Sequence, residues 1–309
     1  MAIPYPPTRW KLRTRSLELG RRTLVMGVVN VTPDSFSDGG LFLDSNAAVN
    51  RCMQCLDEGA DLLDLGAEST RPGSRAGFAL GGGPAVSAAE EQARLLPVLE
   101  SILKARPDAV VSVDTYKAET ARAALAAGAE IVNDVSGFFW DSGLASVCAE
   151  TKCGVVLMHT RGRPEEWASQ AALDPDAVIE AVRAGLRGSL HRAAEAGIAT
   201  ESIVFDPGYG FGKRGDENFS LLARQAELLD LGRPLLAGLS RKSFLGKALA
   251  PLYAGRTAPV EARETASVAG LVAAILNGAS IVRVHLVRPA VEAALVADAV
   301  VRRVSEPAS

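Results

Sequence analysis

Apolar positions along the chain gather into eight short runs: TLVMGVVN (23–30), ADLLDLGAE (60–68), AVVSVD (109–114), EIVNDVS (130–136), GVVLMH (154–159), SIVFDPG (202–208), PLLAGLS (234–240) and SIVRVH (280–285). Each is nearly continuous rather than alternating, and most are rich in β-branched residues, the pattern of parallel strands covered on their outer side by helices. Between them lie longer stretches rich in Ala, Leu, Glu and Arg, among them 87–105, 117–128, 175–197 and 264–278, which read as helices. Gly59, Gly128 and Gly278 each stand between such a stretch and the next apolar run, where a helix C-cap belongs. Strand and helix therefore alternate about eight times, which predicts a single (β/α)8 TIM barrel over 23–303, with a doubly wound open sheet as the runner-up. The first residues, with WKLRTRSLELGRR alternating around a Gly-Arg turn, predict an N-terminal hairpin (1–22) that closes the barrel bottom. Residues 304–309 are expected to be a disordered tail.

Composition narrows the class. The chain has 309 residues, 48% hydrophobic and 22% charged, enough apolar material for a large core. A net charge of −3 provides no general attraction to nucleic acid or to an anionic membrane. No apolar run approaches the roughly 20 residues of a membrane span, and the N-terminus lacks the apolar core of a signal peptide. Four cysteines are few for a secreted scaffold of this length, so a cytoplasmic enzyme is expected. CMQC (52–55) has CxxC spacing but lies in a helical stretch without a second Cys/His pair, and reads as buried structural cysteine.

The polar residues at the ends of the runs carry the chemistry. Asn30, ESTRPG (68–73), Asp114, Asn133-Asp134, His159, Asp206, Ser240-Arg241-Lys242, and Arg283 with His285 all fall where a barrel enzyme builds its active site. Arg71, Lys242, Arg283 and His285 form a cationic set suited to phosphate. Asn30 and nearby carboxylates are hard oxygen ligands of the kind Mg2+ uses beside a diphosphate. Asp114, Asn133 and Asp206 offer carboxylate and amide groups that read a donor-rich heterocycle edge. GxSxG, HExxH and Cys-His nucleophile patterns are missing, and GYGFGK (208–213) has neither Walker A nor dinucleotide spacing. These residues point to metal-assisted displacement on a phosphorylated substrate and leave the substrate unnamed.

The motifs GVVNVTPDSFSDGG, ESTRPGS, SVDTYK, VNDVSG, VLMH, DPGYGFGK, SRKSFLG and RVH, in this order over about 23–303, resemble the dihydropteroate synthases. The resemblance implies a (β/α)8 barrel, usually homodimeric, that condenses 6-hydroxymethyl-7,8-dihydropterin diphosphate with 4-aminobenzoate, needs Mg2+, and is the target of sulfonamides. Carried over by position, Asn30 would be the Mg2+ ligand. Arg283 and His285 would hold the diphosphate, with Arg283 also stacking on the pterin. Asp114, Asn133, Met158, Asp206 and Lys242 would contact the pterin, and Thr70 would touch both substrates. Phe36, Thr70, Arg71, Pro72, Phe211 and Ser243 would form the 4-aminobenzoate pocket. Asp34 and Asp38 would face the carbocation-like methylene, with Lys242, Arg283 and His285 completing the catalytic set.

Three departures from the family pattern stand out: a long, glycine-rich second loop (71–87), Leu286 where an acidic residue commonly follows the His, and a divergent TRGRPEEW (160–167). The alternatives are a corrinoid-dependent methyltransferase, which shares the pterin-reading residues but does not need the NVTPDSFSDGG, STRPG and SRKS apparatus, a non-catalytic pterin-binding paralogue, and a purely structural protein.

Overall fold

The computed structural model describes residues 8–31, 41–68 and 86–305. A two-stranded antiparallel hairpin, β1 (Thr8–Lys11) and β2 (Ser16–Leu19), precedes the barrel. Its chain reverses at 12–15, where Leu12 N–H donates to the Arg15 carbonyl, and not at Gly20-Arg21 as the sequence suggested. The eight parallel strands that follow are β3 (Leu24–Asn30), β4 (Leu62–Gly66), β5 (Val111–Asp114), β6 (Ile131–Asp134), β7 (Gly154–Met158), β8 (Ile203–Asp206), β9 (Leu235–Ala237) and β10 (Ala279–Val284). They close in sequence order, with β10 pairing back onto β3, so Arg283 lies opposite Met26. This is the expected barrel, and the open-sheet alternative is excluded by that closure.

Helices cover the outside: α1 (Leu41–Asp57), α2 (Ala88–Ala105), α3 (Ala118–Ala126), α4 (Leu144–Thr151), α5 (Pro175–Glu195), α6 (Gly215–Arg224), α7 (Ser243–Ala248), α8 (Glu264–Leu276) and α9 (Val287–Ser305). Their ends follow local rules. Ser87 and Glu90 form a reciprocal capping box on α2, and Asp174 caps α5, which opens with Pro175 at its first turn. Gly59, Gly128 and Gly278 take φ of +102°, +114° and +88°, as the expected C-caps require. The last helix reaches Ser305, two residues into the stretch expected to be a disordered tail; 306–309 lie outside the described residues. Among the described residues no helix is long and apolar enough to cross a membrane. Cys52 and Cys55 are buried on α1, and all four cysteines are free.

Side chains alternate across a strand, so each barrel strand feeds two separate layers. Val25, Val29, Leu63, Leu65, Val113, Val132, Val155, Leu157 and Phe205 pack outward under the helices. Leu24, Met26, Leu62, Val110, Ile131, Val156, Val204, Leu236 and Ile281 pack inward as a second cluster, together with Trp10, Leu12 and Leu19 of the hairpin. Trp10 is fully buried, and its indole N–H donates to the Ser202 carbonyl at 2.8 Å, which settles the one polar atom of the plug. Gly154 makes room for the hairpin: a Cβ there would sit 2.5 Å from Leu12. The barrel bottom is thus sealed by apolar side chains of the hairpin and of the strand starts.

Candidate active site

The inward register that supplies Leu24 and Met26 to the apolar layer continues up β3 to Val28 and Asn30, both at a cavity in the mouth. The same parity on the other strands carries Asp64, Asp114, Asn133, Met158, Asp206 and Arg283 above the apolar layer. One cavity of about 460 Å3 is lined by Asn30, Asp114, Asn133, Met158, Asp206, Phe211, Lys242, Ser243, Arg283 and His285. Ten residues expected from the sequence therefore meet in one place. Asp34, Phe36, Asp38, Thr70, Arg71 and Pro72, with most of the long second loop, lie outside the described residues.

Parity also removes two residues that the sequence had set among the polar strand ends. Asp134 points outward beside inward Asn133 and accepts the N–H groups of Ser136 (2.8 Å) and Phe138 (2.6 Å), which holds the turn after β6. Burial raises its pKa to about 6 against those hydrogen bonds. His159 follows inward Met158 and lies against α5, where a Cβ on Gly185 would come within 2.3 Å of the ring. Burial, then the Lys213 and Arg161 charges, hold its pKa well below the usual histidine range.

Behind the cavity lining stands Asp64, which sequence reasoning did not single out. Its carboxylate is fully buried and accepts Arg283 Nε at 2.6 Å and Asn133 Nδ2 at 3.0 Å on the same oxygen. Arg283 also donates to Asp114 at 2.7 Å. Burial works against the guanidinium charge, but Asp64 and Asp114 outweigh it and raise the Arg283 pKa. Burial pushes Asp114 up to about 7; Arg283 lowers it and Asp64 raises it. The signal that marks Asp64 is plain in retrospect: a lone carboxylate in the middle of the apolar strand LLDLG, at the parity of Leu62.

Asp206 ends β8 and is likewise buried. Its pKa is raised by burial, while the Gly208 N–H (2.7 Å) and the charges of Lys242, Arg283 and Lys213 act the other way. Lys242 reaches over the Phe211 ring at 4.0 Å from its centroid, and Phe211 meets Trp167 edge-on at 5.3 Å. His285 Nδ1 lies 3.0 Å from Ser240 Oγ, and Arg51 donates to the His285 carbonyl. Beside the main cavity a cleft is lined by Asn30, Arg51, Arg241 and His285, and Asn30, Arg241 and His285 belong to both spaces. The mouth thus divides into a carboxylate- and amide-lined pocket and a cationic flank.

Comparison with known proteins decides between the families that share such a mouth. A model of the pterin binding enzymes matches residues 26–285. The dihydropteroate synthase of Mycobacterium leprae is 44% identical over 275 residues, 89% of this chain and 92% of that protein. The chain belongs to the dihydropteroate synthase family. Among solved structures, Xanthomonas albilineans dihydropteroate synthase with 4-aminobenzoic acid has a TM-score of 0.80 at 40% identity, covering 95% of this chain and 98% of that one. Yersinia pestis dihydropteroate synthase in a sulfonamide drug complex has a TM-score of 0.82 at 37% identity, covering 97% and 100%. The chain is accordingly a transferase of folate synthesis, and the methyltransferase and structural readings fall away.

Proposed function

We propose that the protein condenses 6-hydroxymethyl-7,8-dihydropterin diphosphate with 4-aminobenzoate, assisted by Mg2+, to give 7,8-dihydropteroate and diphosphate. The observation that carries this reading is the convergence of Asp114, Asn133, Asp206, Lys242 and Arg283 in one cavity whose rim holds Asn30 and His285. A 2-amino-4-oxo pyrimidine edge presents two parallel N–H donors, which the Asp206 carboxylate accepts. Asn133 spends its NH2 on Asp64, so its amide oxygen is left to accept from the pterin. The two carboxylates that grip Arg283 fix its guanidinium plane, which suits stacking on the pterin ring against Met158. Asp64 and Asp114 take two of the five guanidinium N–H donors, so Arg283 keeps others for the diphosphate, which is assigned to Arg283 and His285 with Arg241 and Asn30 beside them in the cleft.

In the reaction the methylene C–O bond breaks and its electron pair leaves with diphosphate. The amine lone pair of 4-aminobenzoate forms the C–N bond, and that nitrogen then releases a proton. Phe211 and Ser243 form the described wall of the 4-aminobenzoate site, and Lys242 stands between the two substrates. A sulfonamide, which shares the aniline ring, competes for the same wall. The residues assigned to the cation, Asp34 and Asp38, and the rest of the 4-aminobenzoate pocket, Phe36, Thr70, Arg71 and Pro72, lie outside the described residues.

The donor set fits Mg2+: Asn30 is exposed at the strand end and presents one hard amide oxygen, and Mg2+ commonly takes one or two protein ligands plus substrate phosphate oxygens. Asn30 would hold the ion, which when bound neutralises charge on the departing diphosphate. The test is a product assay with both substrates, with Mg2+ or with excess EDTA. Dihydropteroate and diphosphate are expected only with Mg2+, and folded protein that makes neither product with Mg2+ sinks the proposal. We also assign a homodimer, supported by the apolar outer face of α8 (Val268, Ala269, Val272, Leu276) and by exposed Leu295, Val296 and Val300 on the adjoining α9. A monomer mass at micromolar concentration by sedimentation would refute it.

A further inference from the structure

The glycine-rich segment GYGFGK, which fits no phosphate-binding pattern, ends in a lysine buried to 7% exposure. Lys213 Nζ donates to three carbonyl oxygens: Gly208 at 2.7 Å, His159 at 3.2 Å and Phe211 at 3.3 Å. An ammonium has three donors, and here each has an acceptor from the backbone. The three acceptors tie together the exit of β7 and two points of the loop after β8. The loop itself has no regular structure to hold it. Gly208, Gly210 and Gly212 all take positive φ, and a Cβ on Gly208 would lie 1.9 Å from the His159 carbonyl oxygen. Backbone is packed directly on backbone at that point, and the lysine bridges the same two carbonyl groups. Asn218 completes the brace, accepting from Gly210 N–H at 2.6 Å and donating to the Lys213 carbonyl at 3.1 Å.

Two substrate-facing groups hang on this loop. Gly208 N–H donates to Asp206 Oδ1 at 2.7 Å, which orients the carboxylate assigned to the pterin. Phe211, whose carbonyl Lys213 holds, carries its ring under Lys242 and beside Trp167. Lys213 reaches no cavity residue's side chain in this way; it acts on the site through the backbone.

We propose that Lys213 is a positioning residue for both substrate sites, its buried ammonium folding the 207–213 loop so that Gly208 orients Asp206 and Phe211 faces Lys242. The inference rests on the assignment of Asp206 to the pterin and Phe211 to 4-aminobenzoate. Its test is steady-state kinetics on Lys213→Met, which keeps the stem and removes all three donors, and on Lys213→Gln, which keeps two, assayed well below each melting temperature. K213M is expected to raise KM for both substrates at least tenfold, about 1.4 kcal/mol each, with a smaller change in kcat and a cooperative melt. K213Q is expected to fall between K213M and the parent. A lowered melting temperature with both KM values within twofold of the parent would show a merely structural role and overturn the proposal. Should K213M fail to fold, the same twofold criterion applied to K213Q decides. A parent that turns over neither substrate overturns both this and the assigned function; a parent that turns over normally while the variants keep its KM values overturns this alone.

Discussion

Replacing Asp206 by Asn is expected to separate binding from folding. The side chain is almost fully buried, and burial is the largest influence on its carboxyl, raising its pKa. The fold therefore bears a desolvation penalty for the carboxylate that a neutral amide of the same shape does not. The bond from Gly208 N–H at 2.7 Å survives, because the Asn amide oxygen accepts it as well. Stability should hold or rise. Binding should not. An amide turned to keep Gly208 presents NH2 where the pterin edge presents N–H, so one charge-assisted hydrogen bond disappears and two donors confront each other. A hydrogen bond to a charged group is worth about 1.5–3 kcal/mol and a buried donor left unpaired costs about 1–3 kcal/mol. A loss of about 3–5 kcal/mol corresponds to roughly 150- to 5000-fold in affinity. Titration calorimetry with the pterin diphosphate, paired with a urea melt of the same preparation, reads both quantities. A D206N protein that binds within threefold of the parent removes Asp206 from the pterin role. One that loses binding only because it no longer folds refutes the desolvation argument.

Phe211 and His159 give two further outcomes. Phe211→Ala removes the ring under Lys242, an interaction worth about 0.5–2 kcal/mol, so KM for 4-aminobenzoate should rise about 2- to 30-fold while KM for the pterin changes much less; equal effects on both would place the ring elsewhere. His159 is buried with a pKa well below 6.5, so the unfolded chain takes up a proton that the native ring refuses as pH falls through 6.5. Its contribution is intact above that pH and is lost below it at a rate approaching about 1.4 kcal/mol per pH unit. Urea melts at pH 7, 6 and 5 should show the parent losing stability relative to His159→Gln over that range, and parallel curves would contradict a neutral buried imidazole.

The lesson of the mouth is one of parity. Asn133 and Asp134 are neighbours in the chain, yet one enters the cavity and the other ties a turn on the outer side. Met158 and His159 divide in the same way. A polar residue at a strand end is a candidate, but which face it takes depends on where the inward register begins. Asp64 shows the converse. It lies two residues below the strand end, so a search of strand ends passes over it, although it grips both Arg283 and Asn133.

By itself the sequence determined the barrel, the eight strands and most of the residues that converge at its mouth, because a strand's apolar run, a helix cap and a C-cap glycine are local in the chain. It also determined the family, through motifs that each sit at a strand end. The reversal of the hairpin at 12–15, the outward turn of Asp134 and His159, the carboxylate pair around Arg283 and the lysine brace of the 207–213 loop were decided only in three dimensions. The last two depend on partners far along the chain, from 54 residues between Lys213 and His159 to 219 between Arg283 and Asp64. Closing the barrel brings those partners within hydrogen-bond reach, and burial then makes their pairing obligatory.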